Sequence, residues 1–342
     1  MLLFLLACTP SPTDTAKDDP ADTADSGATG PFRLTILHTN DWQSHMLGFG
    51  PNREYSPDTT GDDTTVGGLA RLATKVAEIK AASDRPVVLY DGGDWMAGDL
   101  FQLLATTDAA ELSMMGSLQY DAVTLGNHEF DWGPQVLGNM IALADAKGVV
   151  TPILASNTVP NDADSGDDAL EAHFDSGRIE STRVQVVDGG LRIGLFGILG
   201  DSAQAITPAV VPASFSPAAE ASEAAVAALE AEGVDLVVAL THNGVTDDPS
   251  TSPDDVLATE VPGIDVIVGG HSHTPLFAPR SAGSTVIVQA GALTQYLGQL
   301  DLSQDDDGNW VVESYQLHEL GDEILGDSAV TAMARSPSSS RA

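Results

Sequence analysis

Five short clusters of acid, amide and imidazole side chains punctuate this chain: Asp41 with Gln43; Asp94; Asn127, His128 and Asp131; His242 with Asn243; and His271 with His273. Each follows an apolar run rich in β-branched residues, which is how a buried strand reads. Taken alone, an Asn-His pair after a strand is usually turn chemistry. Five such clusters at five strand ends converge if the strands are neighbours. Asp, His, Asn and Gln without cysteine form a donor set of borderline hardness, suited to Zn, Mn, Fe or Co, and one carboxylate can bridge a pair of ions. Gly92-Gly93, Gly126 and Gly269-Gly270 stand immediately before Asp94, Asn127 and His271, where freedom at φ lets the backbone turn sharply into a site. An extended His271-Ser272-His273 would aim two rings the same way from one loop.

The elements that must carry these clusters follow from periodicity. Strands are expected over 32–38, 85–90, 122–125, 235–240 and 263–268, with a hairpin pairing 180–187 and 191–199 across Asp188-Gly189-Gly190. Helices are expected near 67–82, 108–118, 135–147 and 217–232, and late strands near 285–289, 296–302 and 309–316. Alternating β and α units with late hairpins indicate an α/β fold of two mixed sheets packed face to face and covered by helices. Trp42, Trp95 and Trp132 adjoin the clusters and read as core around the sheet ends rather than as substrate contacts. His38, His173 and His318 have no motif around them.

With 342 residues, 42% of them hydrophobic, the chain holds one large or two modest globular units. Its 14 basic and 50 acidic residues give a formal charge of -36, which excludes a nucleic-acid polymer as partner because backbone binding needs clustered Lys and Arg. The acid concentrates at 161–168, 246–255 and 305–307, where its expected role is solvation. An anionic substrate would need local cations against this field. Met1 to Ala7 is apolar, and Leu5-Leu6-Ala7-Cys8 resembles the bacterial lipobox, in which the cysteine carries the lipid. Cys8 is the sole cysteine, so neither a disulfide nor a thiolate metal site is available. The expected division is a lipoprotein signal segment (1–8), a disordered acidic tether (9–31), and a globular domain (32–320). The expected protein is monomeric, secreted, and tied to an outer or cytoplasmic membrane only through that lipid.

The motifs Asp41-x-Gln43, Gly92-Gly93-Asp94, Gly126-Asn127-His128-Glu129-Phe130-Asp131, Thr241-His242-Asn243-Gly244 and Gly269-Gly270-His271-Ser272-His273-Thr274 resemble, in order, those of calcineurin-like metallophosphoesterases. More narrowly, they resemble the 5'-nucleotidase and UDP-sugar hydrolase branch. The resemblance implies a metallophosphatase four-layer α/β/β/α sandwich holding two divalent ions. It implies that Asp41, Gln43, Asp94 and His273 hold the first ion, and that Asp94 bridges to a second held by Asn127, His242 and His271. His128 would be the catalytic imidazole and Asp131 its orienting carboxylate. The family usually has His at the position of Gln43, which leaves His45 as an alternative ligand. The implied activity is hydrolysis of nucleotides or related small phosphoesters by metal-activated water. Alternatives on the same fold are a 2',3'-cyclic nucleotide phosphodiesterase, a thiosulfonate-ester hydrolase, or a non-catalytic surface-binding lipoprotein. Nucleotidases of this branch carry a second, base-binding domain. Here 321–342 is expected to begin the linker helix to it and to end in a disordered tail, with that domain absent.

Overall fold

The apolar runs pair into sheets in the computed structural model, which describes residues 31–52 and 54–335. Cys8, nearly all of the tether and the tail past Arg335 lie outside the described residues. In chain order the strands are β1 (Arg33–Thr39), β2 (Val87–Asp91), β3 (Ala122–Thr124), β4 (Ile153–Leu154), β5 (Thr158–Val159), β6 (Ile179–Glu180), β7 (Thr182–Val186), β8 (Arg192–Leu199), β9 (Ser214–Phe215), β10 (Leu236–His242), β11 (Val266–Val268), β12 (Arg280–Ala282), β13 (Thr285–Val288), β14 (Tyr296–Gln304) and β15 (Trp310–Glu319).

One sheet has the order β15-β14-β1-β2-β3-β4-β6 and a second the order β12-β13-β11-β10-β8-β7; β5 and β9 make a small separate pair. In the first, β1, β2, β3, β4 and β6 run parallel, and β14 joins β1 antiparallel. In the second, β8, β10, β11 and β13 run parallel, with β7 and β12 as antiparallel edges. Both sheets are therefore mixed, as expected, and the hairpin at 188–190 forms where its glycines stand.

Because side chains alternate along a strand, each sheet feeds two apolar layers. Leu34, Ile36 and Val88 of the first sheet meet Leu195, Val238 and Val268 of the second in a layer with no helix in it. The outer face of the first sheet packs on helices Leu69–Ala82, Ala110–Ser117 and Pro134–Ala146. The outer face of the second packs on helices Ala218–Ala231 and Pro253–Glu260. This is the four-layer α/β/β/α arrangement. Helix Ser328–Arg335 lies beside the first of these helices, with Val330 and Ala334 buried in the same layer. Among the described residues no helix is long and apolar enough to cross a membrane.

One expectation needs correcting. The acidic stretch 246–255 is not solely a solvated loop, since helix Pro253–Glu260 begins inside it and Asp254 and Asp255 are buried. Ser252-Pro253-Asp254-Asp255 is a helix-start sequence, with Pro in the first turn followed by two acids near the positive end of the dipole. The Asp254 carboxylate accepts the Thr241 hydroxyl at 2.8 Å, so it braces the end of β10 rather than solvating a loop.

Candidate metal centre

β1, β2, β3, β10 and β11 all run with their carboxyl ends toward one edge of the double sheet, where ligands of open α/β sheets bind. Asp41 lies two residues past β1, Asp94 three past β2, Asn127 three past β3 and His271 three past β11; His242 ends β10 itself. The five clusters meet there.

Asp41 is fully buried. Its Oδ2 accepts the Asn40 side-chain amide at 2.6 Å and the His271 backbone N–H at 2.9 Å. Its Oδ1 has no hydrogen-bond partner and lies 3.3 Å from His273 Nε2 and 4.0 Å from His242 Nε2. Asp94 is divided in the same way. Oδ1 accepts the His128 backbone N–H at 2.9 Å, while Oδ2 lies 3.0 Å from His242 Nε2 and 4.0 Å from His128 Nε2.

His242 Nδ1 donates to the Gly92 carbonyl at 2.9 Å, which fixes the ring and turns Nε2 inward; that atom is fully buried and not aligned for a hydrogen bond with either carboxylate. A backbone acceptor on the far nitrogen is the usual way to orient a ligating imidazole. The His242 and His271 rings are 5.1 Å apart, and His271 Nδ1 lies 3.1 Å from Asn127 Oδ1. The Gln43 amide nitrogen lies 3.0 Å from His273 Nε2. His45 turns away, its Nδ1 on the Gln43 carbonyl at 2.8 Å and its ring edge-on to Phe49 at 5.8 Å. Of the two alternatives, the Gln43 side chain is therefore the one in the cluster. At the rim, His128 Nδ1 pairs with Asp131 Oδ2 at 2.8 Å.

The turns are built differently from the expectation. Positive φ falls on the polar residues themselves: 51° at Asp41, 48° at Gln43, 55° at Asp94, 77° at His271 and 55° at His273. His271-Ser272-His273 is thus not extended, and its two rings diverge, one toward Asn127 and one toward Asp41 and Gln43. Left-handed backbone at five non-glycine positions is strain of the kind that collects at functional sites. Gly93 does turn through positive φ (87°) just before Asp94, as expected, whereas Gly126 and Gly270 are required for close approach. A β-carbon at Gly126 would overlap the Asp94 carboxylate, and one at Gly270 would lie 2.5 Å from the Gly92 carbonyl oxygen.

The sequence left Glu129 without a role, although it sits inside the Asn127–Asp131 loop. The structure buries it, and its carboxylate accepts the backbone N–H groups of Gly126 (2.6 Å), Met96 (2.9 Å) and Asp94 (3.1 Å). It ties the loop after β2 to the loop after β3. Trp42 and Trp95 are fully buried, and Trp132 packs against the same core, as expected. His38 is buried, while His173 bonds the Gly138 carbonyl and His318 the Gln299 amide.

The electrostatics follow from burying acids and imidazoles side by side. Burial would lower the His242 pKa, but Asp94 and Asp41 raise it to about 10. Burial would raise Asp94, yet His242 and His128 hold it below the ordinary carboxylate value. Glu129 is pushed well above its ordinary value by burial and by the Asp94 charge. Burial and the neighbouring His242 lower His271, while the contact with Asp41 raises His273. Buried anions here compete for whatever positive charge is at hand. Ligand atoms of Asp41, Asp94 and His242 all lie within 4.8 Å of one another, with Asp41 Oδ1 and His242 Nε2 unpartnered. Such a group fits a divalent cation, and the hard oxygens with imidazoles suit a first-row metal better than a soft one.

Comparison with known proteins follows the same line. Over 322 residues the chain is 32% identical to a snake venom 5'-nucleotidase of Naja atra, covering 89% of this chain and 56% of that protein. It is 32% identical to a 5'-nucleotidase of Bos taurus, covering 89% of this chain and 51% of the other. The chain thus spans about half the length of these curated relatives. The crystal structure of a 5'-nucleotidase precursor from Thermus thermophilus superposes with a TM-score of 0.73 at 27% identity, over 90% of this chain and 59% of that one. The sequence model of the calcineurin-like phosphoesterases matches residues 34–275. Since that span contains every loop that meets at the centre, and members of the family work with divalent metal ions, the chain belongs to the calcineurin-like phosphoesterase family.

Proposed function

We propose that the protein is a two-metal phosphoester hydrolase of the 5'-nucleotidase kind, releasing phosphate from nucleotides or related small phosphoesters. The observation that carries this reading is the division of the Asp94 carboxylate and the unpartnered Asp41 Oδ1 and His242 Nε2 beside it. Asp41, Gln43, Asp94 and His273 would hold one ion, and Asp94, Asn127, His242 and His271 the other. When bound, the pair supplies an acidified water for in-line attack and a clamp on the phosphoryl oxygens. The positive charge it brings offsets an acidic surface that would otherwise repel the substrate.

The chain's own groups do the rest. Asp131 accepts the Nδ1–H of His128 and so fixes the tautomer and aims Nε2. His128 Nε2, on the Asp94 side of its ring at 4.0 Å from Oδ2, would act from the doubly protonated ring: it gives the Nε2 proton to the leaving oxygen as the P–O bond breaks and is left as the neutral Nδ1–H tautomer held by Asp131. Trp42 and Trp95 are fully buried next to Asp41 and Asp94, and the missing β-carbons at Gly126 and Gly270 let the strand-end loops approach one another. Lipidation at Cys8 would place the enzyme on a periplasmic or cell-surface face, acting as a monomer on diffusible substrates.

The test is hydrolysis by metal-replete full-length protein of AMP, read as phosphate, of UDP-glucose, read as UMP, and of the diester bis(p-nitrophenyl) phosphate, read as p-nitrophenol. Faster turnover of the monoester, abolished in His128→Ala, supports the reading. Protein that holds two ions yet hydrolyses no phosphoester refutes it.

A further inference from the structure

Beside the metal centre the loops that follow β1 and β2 enclose an open cavity of about 760 Å³, bordered by His45, Leu47, Phe49, Tyr55, Leu100 and Leu103. It shares a wall with the metal-facing side chains. A β-carbon placed on Gly98, which borders the cavity, would lie 3.1 Å from Gln43 Cβ and 3.6 Å from Gln43 Oε1. His45, on the same border, is bonded to the Gln43 carbonyl at 2.8 Å. The chain reaches this position through left-handed backbone at Ala97 (φ 80°) and Gly98 (φ 87°) and then turns outward.

What it turns outward is apolar. Leu100 is 80% exposed, Leu103 64% and Leu47 37%. One exposed leucine needs no explanation. Three around a single cavity, in a chain of formal charge -36, form a patch of the kind that contacts a ligand. The lining adds the aromatic rings of Phe49, Tyr55 and Phe101, which favour stacked or edge-on contact with another ring. The carboxylate of Asp99 is also on the lining. A second phosphate or other anionic extension would be repelled here; an uncharged ring would not.

We infer that this cavity seats the uncharged aromatic leaving group of a phosphomonoester whose phosphoryl group lies at the metal centre. The inference rests on the hydrolase reading above and adds to it a substrate class and the residues that select it. Leu100 and Leu103 select the substrate by contact, and the metal centre does the chemistry whichever group leaves.

The test uses metal-loaded full-length protein and two non-hydrolysable probes, phenylphosphonate and methylphosphonate, with binding measured by calorimetry. The expected result is tighter binding of the phenyl compound by about tenfold, the scale on which apolar pockets discriminate. In the Leu100→Ser/Leu103→Ser double variant that ratio falls to near one, with retention of two bound ions as the check that the variant has folded. Equal affinities in wild-type protein, or a ratio that survives in a folded variant, would overturn the inference. Phosphate release from AMP by the same preparation separates the two claims. Turnover without the phenyl preference removes the cavity assignment alone. A preparation that holds both ions, binds neither phosphonate and releases no phosphate removes both.

Discussion

Glu129 and Asp94 are joined through the main chain: the buried Glu129 carboxylate accepts the Asp94 backbone N–H at 3.1 Å, while Asp94 in turn accepts the N–H of His128, one residue before Glu129, at 2.9 Å. The two loops therefore hold each other, and removing Glu129 strands three buried N–H donors. Glu129→Ala is expected to cost about 3 to 5 kcal/mol of stability, since each buried N–H left without an acceptor costs about 1 to 3 kcal/mol. Glu129→Gln keeps the shape and one acceptor and should fall between. Urea unfolding of the metal-free proteins measures both. Near-identical midpoints for all three would show that the ties are incidental.

Gly126 sets a steric limit on the same contact. Its Cα faces Asp94 so closely that a β-carbon would lie 2.5 Å from the Asp94 backbone nitrogen. Gly126→Ala should destabilise by about 1 to 3 kcal/mol, as overpacking does, and should weaken metal binding because the strand-end loops must part. Thermal unfolding with and without added divalent ion would show a loss in both states and a smaller shift on loading. An unchanged shift would contradict this.

A pH signature comes from Glu111, whose carboxyl lies buried beneath the metal loop and accepts the Ser44 hydroxyl at 2.7 Å. Burial pushes its pKa from the ordinary 4.5 to about 7. The folded state then holds a proton that the unfolded chain has released, so this stabilisation is complete below about 4.5 and is lost as pH rises through about 7. The loss is on the order of 3 kcal/mol. His38, lowered to about 3 by burial, works in the opposite sense, costing stability as pH falls below its ordinary value. Comparing wild type with Glu111→Gln cancels His38. The difference between their unfolding free energies should change between pH 4.5 and 7 and be flat above. A difference constant with pH would refute the protonated carboxyl.

The rim pair makes a kinetic prediction. His128→Ala should lower kcat by about 10² to 10⁴, the usual contribution of a positioned acid, while leaving metal content intact because its ring is not in the ligand set. Asp131→Asn should cost about 10- to 100-fold, as removing an orienting partner does. The measurement is steady-state phosphate release with ion content determined on the same samples. Loss of an ion in His128→Ala would move that residue from proton donor to ligand.

Much of the fold and of the cluster is legible in the sequence. Apolar β-branched runs placed β1, β2, β3 and β10, and the polar residues after them converge because parallel strands put all their carboxyl ends on one edge. What escaped was local and three-dimensional. Nothing in His271-Ser272-His273 reveals that both histidines adopt left-handed φ, since only packing against Asp41, Gln43 and Asn127 imposes it. Asp254 read as loop acid because its burial comes from β10, which lies 12 residues or more earlier in the chain. Glu129 was in plain sight, yet its partners are main-chain groups, which a sequence does not display. That His45 turns away from the cluster likewise depends on the Gln43 carbonyl and on where Phe49 sits.

The central claim is that one pocket holds two cations on either side of Asp94. An anomalous difference map from crystals of the metal-loaded protein tests it most directly. Two peaks should flank the Asp94 carboxylate, one within bonding distance of Asp41, Gln43 and His273, the other within bonding distance of Asn127, His242 and His271. A single peak, or a second one that Asp94 does not touch, would contradict the account.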